Sequence, residues 1–178
     1  DKHSSTSLVR ASPHPIKSLG QQGGSVAPFH SLPVILIKEE RTMALQSMRQ
    51  NIPMNNVFVY CEIEGTQVKD VALELLTKGR KLANTLGVKL ECIIAGSGLE
   101  GVEQQVIKYG VDRVHIFDAE GLFPYTSNPH TALVVNLFKE EQPQICLMGA
   151  TVIGRDLGPR VSSALFSGLT ADCTELEI

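Results

Sequence analysis

The stretch "VKLECIIAGSGLEG", residues 88–101, passes from an apolar run directly into three glycines spaced Gly96-x-Gly98-x-x-Gly101. A short apolar run closed by glycine reads as a strand, Val88–Ala95, which a helix should follow. The same unit recurs on both sides. Upstream, "NVFVYCE" (Asn56–Glu62) is a strand, and Val68, Val71, Leu75, Gly79, Leu82 and Leu86 then recur at spacings of three and four, the period of one helix face. Gly87 supplies the left-handed stop expected just past that helix. Downstream come a short helix over roughly Leu99–Tyr109, the strand "VDRVHIF" (Val111–Phe117), and a helix starting at Asn128-Pro129 and running to Glu141. The strand "QICLMGA" (Gln144–Ala150), a helix near Asp156–Phe166 and the beginning of a fifth strand, "DCTELEI", complete the pattern.

Alternation on this scale predicts an α/β fold, a three-layer α/β/α arrangement whose mostly parallel sheet carries helices on both faces. In such sheets ligands sit beyond the carboxyl ends of the strands, so the loops after Cys61, Ala95, Phe117 and Met148 are the places to expect a site.

The glycine triplet matches a dinucleotide fingerprint, in which one glycine makes the turn, one lets backbone approach a pyrophosphate and one lets helix and strand pack. Asp118, ending the next strand, stands where a ribose-binding carboxylate would be wanted. Two features oppose that reading. A complete strand-helix unit precedes the triplet, and the helix after it, "EGVEQQVIKYG", is short and polar. A glycine-rich surface turn is favoured, and a small Rossmann-like nucleotide-binding domain using Gly96, Gly98, Gly101 and Asp118 is the alternative.

A denser constellation is "GATVIGRDLGPRVSSALFSGLTADCTELEI" (Gly149–Ile178). It puts Thr151, Gly154, Arg155 and Asp156 at the mouth between the fourth strand and the last helix. Asp156 is expected to cap that helix, with Pro159 in its first turn, where a missing N–H breaks no bond. Arg155 and Arg160 would bracket the helix start and suit an anionic group. The competing reading pairs both arginines with acidic residues at a subunit or domain interface. Thr170, Asp172 and Thr174 are read as turn residues bonding to backbone.

Composition narrows the classes. The chain has 178 residues, 43% hydrophobic and 20% charged, with net charge −3, which reads as one soluble globular domain with no basic field for nucleic acid. No apolar run reaches the roughly 20 residues of a membrane span. Cys61, Cys92, Cys146 and Cys173 lie far apart, three inside apolar runs, and read as structural thiols of a reduced, cytoplasmic, bacterial protein. The five histidines show no ligand spacing, so no metal site is expected. Residues 1–53 lack either period and are rich in Ser, Pro, Gly and His. They are expected to be irregular, disordered or non-native, and residues 54–178 to be the ordered domain. "KEERTM" can be encoded by a purine-rich stretch resembling a bacterial ribosome-binding site, so residues 1–42 are expected to be translated upstream sequence, with Met43 or Met54 a native start.

The segments "VFVYCEIEG", "GVDRVHIFD", "PQICLMGAT" and above all "GRDLGPRVSSALFSGLTADCTELEI" make residues Met54–Ile178 resemble the N-terminal domain of electron-transfer flavoprotein alpha subunits, the FixB-like proteins. The resemblance implies an adenine-nucleotide-hydrolase-like, Rossmann-like fold in a heterodimer with a beta subunit. It implies electron transfer through FAD between dehydrogenases, such as acyl-CoA dehydrogenases, and an acceptor, with no side chain required as acid, base or nucleophile. It also implies that FAD is held mainly by a C-terminal domain lying beyond Ile178 and by the partner subunit. Carried over, Gly154, Arg155, Asp156 and Arg160 shape the face toward the partner, with Thr151, Gly154 and Arg155 placed to face a flavin or nucleotide and Asp156 and Arg160 at the interface. Gly158 departs from the Ala usual in "GRDLAPR".

Overall fold

In a computed structural model of the chain the described residues are 7–11 and 55–171, and all of them belong to one compact unit. The strands are β1 (Ser7–Ala11), β2 (Asn55–Cys61), β3 (Ile63–Glu64), β4 (Gln67–Val68), β5 (Leu90–Gly96), β6 (Arg113–Asp118) and β7 (Pro143–Leu147). The helices are α1 (Asp70–Leu86), α2 (Gln104–Ile107), α3 (Ser127–Glu141) and α4 (Val152–Leu165). Five strands form one parallel sheet in the order β1-β6-β5-β2-β7, and β3 and β4 form a separate antiparallel hairpin.

β2 and β5 sit inside the sheet, and the run from Val57 to Cys61 and all of β5 are buried. That is why both segments read as unbroken apolar runs rather than alternations. The two faces of β2 divide the core. Val57, Val59 and Cys61 pack with Leu76, Leu90, Cys92, Ile94, Val114 and Ile116 on the α1 side. Phe58 and Tyr60 pack with Ile93, Val134, Phe138, Leu157 and Val161 under α3 and α4. Each such buried side chain contributes on the order of 1.5–3 kcal/mol relative to exposure. α1 lays Ala72, Leu76, Gly79, Leu82 and Ala83 on the sheet and ends where Gly87, at φ 68°, returns its N–H to the last turn. The expected three-layer α/β/α architecture is the one observed.

Polar groups are buried at the amino end of the sheet. Glu91 is fully buried and takes hydrogen bonds from Asn56 Nδ2 at 2.6 Å and from His115 Nε2 at 2.6 Å. Arg113 stands 3.5 Å from the same carboxylate and 3.0 Å from Glu141, and the His115 ring stacks on Phe58.

Several boundaries differ from the sequence reading. Ser7–Ala11 lies in the stretch read as irregular yet forms a strand, because the outer edge of β6 offers backbone partners to any extended segment; the rest of residues 1–53 lies outside the described residues. Val68 is not the first residue of the helix face, since it ends the β3–β4 hairpin, where its N–H donates to Gln105 Oε1 at 2.9 Å. α3 starts at Ser127, one residue before the expected Asn128, and Pro129 falls within its first turn. α4 starts four residues before Asp156, because Thr151 takes the capping role: its Oγ1 accepts from Gly154 N at 3.1 Å. Asp156 and Pro159 are therefore inside the helix. The expected strand "DCTELEI" falls outside the described residues.

Candidate functional site

Chain order in the sheet runs from β2 outward through β5 to β6 and then returns to the other side of β2 for β7. The direction of winding reverses between β2 and β7, which is where open parallel sheets place ligands. Three clusters of polar residues gather along this carboxyl edge.

The first is the glycine loop after β5. Gly98, at φ 71°, turns the chain, and the Asp118 carboxylate accepts from Gly98 N at 2.8 Å and from Leu99 N at 2.9 Å. Two adjacent amides of the kind that cradle a phosphate are thus already filled by an internal anion. Ile63, from the hairpin, sits directly on Gly96, in the space a β-carbon would need. The hairpin is itself clamped by Gln105, which bonds both Val68 N and Thr66 O. Asp118 thus serves the loop by filling two of its amides, and Ile63 occupies the space over Gly96.

The second cluster occupies the reversal point. Glu62, one residue past β2, is buried and accepts a short hydrogen bond from Thr151 Oγ1. Its other oxygen, Oε2, makes no hydrogen bond and has the Lys69 ammonium at 3.7 Å. Gly149 and Gly154 let the loop close on these groups: a β-carbon on Gly149 would come within 3.2 Å of Glu62 Oε1, and one on Gly154 would overlap the Gly149 carbonyl oxygen. Thr151 thus links the start of α4 to the end of β2. Arg155 lies on the exposed side of this turn, its Nε 3.4 Å from Ala150 O.

The third cluster joins α3 to α4. Asp156 accepts from Ser127 Oγ at 2.5 Å, from Arg160 Nε at 2.7 Å and from Tyr125 OH at 2.8 Å. Those donors, Ser127 foremost, hold its carboxyl down to about 2. Tyr125 is pushed up to about 12, by burial first and then by the bond it gives to Asp156. The Tyr125 ring lies 4.8 Å from that of His130, centroid to centroid. His130 is buried, with Nε2 2.9 Å from Leu122 O and Nδ1 2.7 Å from Tyr60 OH. The carbonyl requires N–H on Nε2, so Nδ1 is the acceptor for the Tyr60 phenol. Burial pushes the Tyr60 phenol up and the His130 imidazole down.

With this geometry in place, the comparisons with known proteins become specific. The electron transfer flavoprotein domain family matches residues 57–178. This chain belongs to that family. It is 43% identical over 122 residues to Protein FixB of Clostridium saccharobutylicum, a match covering 68% of this chain and 36% of that protein. It is 39% identical over 122 residues to electron transfer flavoprotein subunit alpha of Clostridium acetobutylicum, again 68% and 36%. Acryloyl-CoA reductase electron transfer subunit beta of Anaerotignum propionicum is 40% identical over 123 residues, 69% of this chain and 34% of that protein. The chain therefore spans about a third of the length of these relatives.

In the flavoprotein domain, the residues singled out from sequence fall into these separate clusters. Thr151, Gly154 and Arg155 share the α4 turn, Asp156 is bound to Arg160 and to Ser127 of α3, and Gly96, Gly98, Gly101 and Asp118 form the self-filled loop. Thr170 is described, while Asp172 and Thr174 lie outside the described residues. Glu62, Tyr60, Tyr125, Ser127 and His130 were not singled out. The only signal for Glu62 was its place as a carboxylate just past an apolar strand; the others depend on contacts far apart in sequence. Cys61, Cys92 and Cys146 carry unpaired thiols, and burial pushes those of Cys92 and Cys146 upward, the latter to about 12. Among the described residues no three His, Cys, Asp or Glu gather as a metal set, and no helix is long and apolar enough to cross a membrane.

Proposed function

We propose that this domain is the scaffold and docking part of an electron-transfer flavoprotein alpha subunit of the bacterial cytoplasm. With a beta subunit it carries electrons between flavin-dependent dehydrogenases, acyl-CoA dehydrogenases among them, and an acceptor. FAD supplies the electron-carrying chemistry and is held mainly by a C-terminal domain and the partner subunit. The family match supports this reading, and one observation carries the role assigned to the domain: Asp118 fills the glycine-loop amides and Ile63 covers Gly96, so the nucleotide-like loop is built to close on itself. What this chain's own residues do is position. Thr151 and Glu62 fix the turn into α4, and Asp156 fixes α4 to α3, which holds the exposed Arg155 face in one place for a partner. Gly154, Thr151 and Arg155 are the residues of this domain that approach a flavin or nucleotide held at the interface, with Asp156 and Arg160 beside it.

Co-expression with a family beta subunit tests the reading. Co-purification that is weakened by Arg155→Glu is expected. Micromolar binding of NADH, FAD or AMP by this chain alone, abolished by Gly98→Val, would instead establish a nucleotide-binding domain using the glycine loop.

A further inference from the structure

His130, buried on α3, is where three parts of the chain meet. Its Nδ1 stands 2.7 Å from Tyr60 OH on β2, and its Nε2 stands 2.9 Å from Leu122 O in residues 119–126, the segment that joins β6 to α3. Tyr125, from the same segment, sets its ring 4.8 Å from the imidazole and gives its hydroxyl proton to Asp156 of α4. The segment is otherwise lightly held. Leu122 is its one buried residue, and its backbone bonds run from Ala119 N to Gly96 O at 2.8 Å, from Leu122 N to Ala119 O at 2.9 Å and from Phe123 N to Glu120 O at 3.4 Å. The imidazole is thus a clasp between β2 and the segment, and Tyr125 carries the position of the segment on to α4.

We propose that His130 is an acid-sensitive latch: the neutral ring holds residues 119–126 to β2, and a proton taken up at Nδ1 releases them and loosens the tie that Tyr125 makes to α4. The two hydrogen bonds supply the chemistry. With Nε2–H given to the Leu122 carbonyl, Nδ1 is the acceptor for the Tyr60 phenol. A solvent proton on Nδ1 sets N–H against O–H, and the phenol must turn its proton away. It also leaves an imidazolium in a site closed by Tyr60 from β2 and by Leu122 and Tyr125 from the segment. The carboxylates beyond these tyrosines are already engaged, Asp156 by Ser127, Arg160 and Tyr125, and Glu62 by Thr151 and Lys69. A buried charge without a partner is costly, and burial accordingly lowers the imidazole from its ordinary value. Local opening of the lightly held segment wets the ring while the core of β2 stays packed. On the reading above, α4 carries the docking face, so acid loosens docking as well; the latch itself does not rest on that reading.

The test is amide hydrogen exchange of the full chain between pH 8 and pH 5, corrected for the intrinsic rate and read at Leu122 and Phe123, with the buried strand β5 as the measure of global unfolding. Protection at Leu122 and Phe123 is expected to lie below that of β5 at every pH and to fall by up to about tenfold per pH unit below about pH 6.5, where the released ring takes a proton that the closed one does not. His130→Gln has no proton to take and should lose that slope. Tyr60→Phe removes the bond that favours the neutral ring, so its protection at pH 8 should already be reduced and the fall toward pH 5 smaller. Protection at Leu122 and Phe123 that does not change with pH, that equals the protection of β5, or that keeps its slope in His130→Gln overturns the proposal. Should His130→Gln not fold, Tyr60→Phe decides: a fall as large as that of the unaltered chain overturns it, and a smaller one supports it.

Discussion

Gly154 packs its α-carbon against the carbonyl oxygen of Gly149 so closely that a β-carbon would overlap that oxygen. The contact fixes the direction in which α4 leaves the loop, and it holds Thr151 where its hydroxyl caps Gly154 and reaches Glu62. Gly154→Ala must move backbone rather than a flexible side chain, so a loss of about 1–3 kcal/mol or more is expected. Gly158, one turn on, is the opposite case. A β-carbon there would meet Leu169 Cδ1 at 3.7 Å and Met148 Sδ at 3.8 Å, ordinary contacts, so Gly158→Ala should add about 0.5–1 kcal/mol by removing a glycine from a helix interior. Urea denaturation of the two variants is expected to move in opposite directions; a Gly154→Ala variant as stable as the unaltered chain would show that the Gly149 contact does not set the turn.

Asp118 completes the glycine loop by accepting from two successive amides. Removing it leaves Gly98 N and Leu99 N without that partner, and hydrogen bonds to a charged acceptor contribute about 1.5–3 kcal/mol. Asp118→Ala should therefore lower stability by up to about that amount, less in so far as water replaces the carboxylate at the exposed Gly98 amide. The exchange of the amides of residues 98–101 should quicken before that of β5. Unchanged exchange in the loop would mean that the turn holds itself and that the carboxylate is incidental.

Glu91 is the centre of the buried network at the other end of the sheet. Glu91→Ala leaves the buried His115 and the half-buried Asn56 without their acceptor, and an unsatisfied buried polar group costs about 1–3 kcal/mol. Glu91→Gln keeps an acceptor for Asn56 and fills the same volume, so a distinctly smaller loss is expected. Equal losses from the two substitutions, measured by chemical denaturation, would show that the charged carboxylate itself, and not its volume or the amide-replaceable acceptor, is what Glu91 contributes.

The strands and the layer order were legible because two-sided burial leaves apolar runs at Val57–Cys61 and Leu90–Gly96, and because Gly87 marks the end of α1. The start of α4 was not. Asp156 has the chemistry of a cap and a proline three residues later, yet Thr151 has a hydroxyl that both caps the helix and meets the buried Glu62, a partner 89 positions away. Local preference lost to a tertiary hydrogen bond. The glycine loop shows the same limit. Its spacing points to a strand-to-helix turn, but sequence distance does not reveal that Asp118 points back into it or that Ile63 covers Gly96. Tyr60, Tyr125 and His130 carried no motif, since their grouping exists only once β2, α3 and the loop after β6 are packed.

His130 makes the stability of this packing depend on pH. Its partners are the Leu122 carbonyl, which needs Nε2–H, and the Tyr60 phenol, which needs an unprotonated Nδ1. Burial lowers the imidazole below its ordinary value. In the window between the unfolded value of about 6.5 and the lower folded value, the unfolded chain binds a proton that the folded chain does not. Stability then falls as pH falls, and the contribution is fully present only above the unfolded value. Urea denaturation between pH 8 and pH 5 should show this decline in the unaltered chain, while His130→Gln, weaker throughout, should show a shallower one. Because all other titrating groups are common to both chains, the difference between the two curves isolates the imidazole, and parallel curves would assign the pH dependence elsewhere.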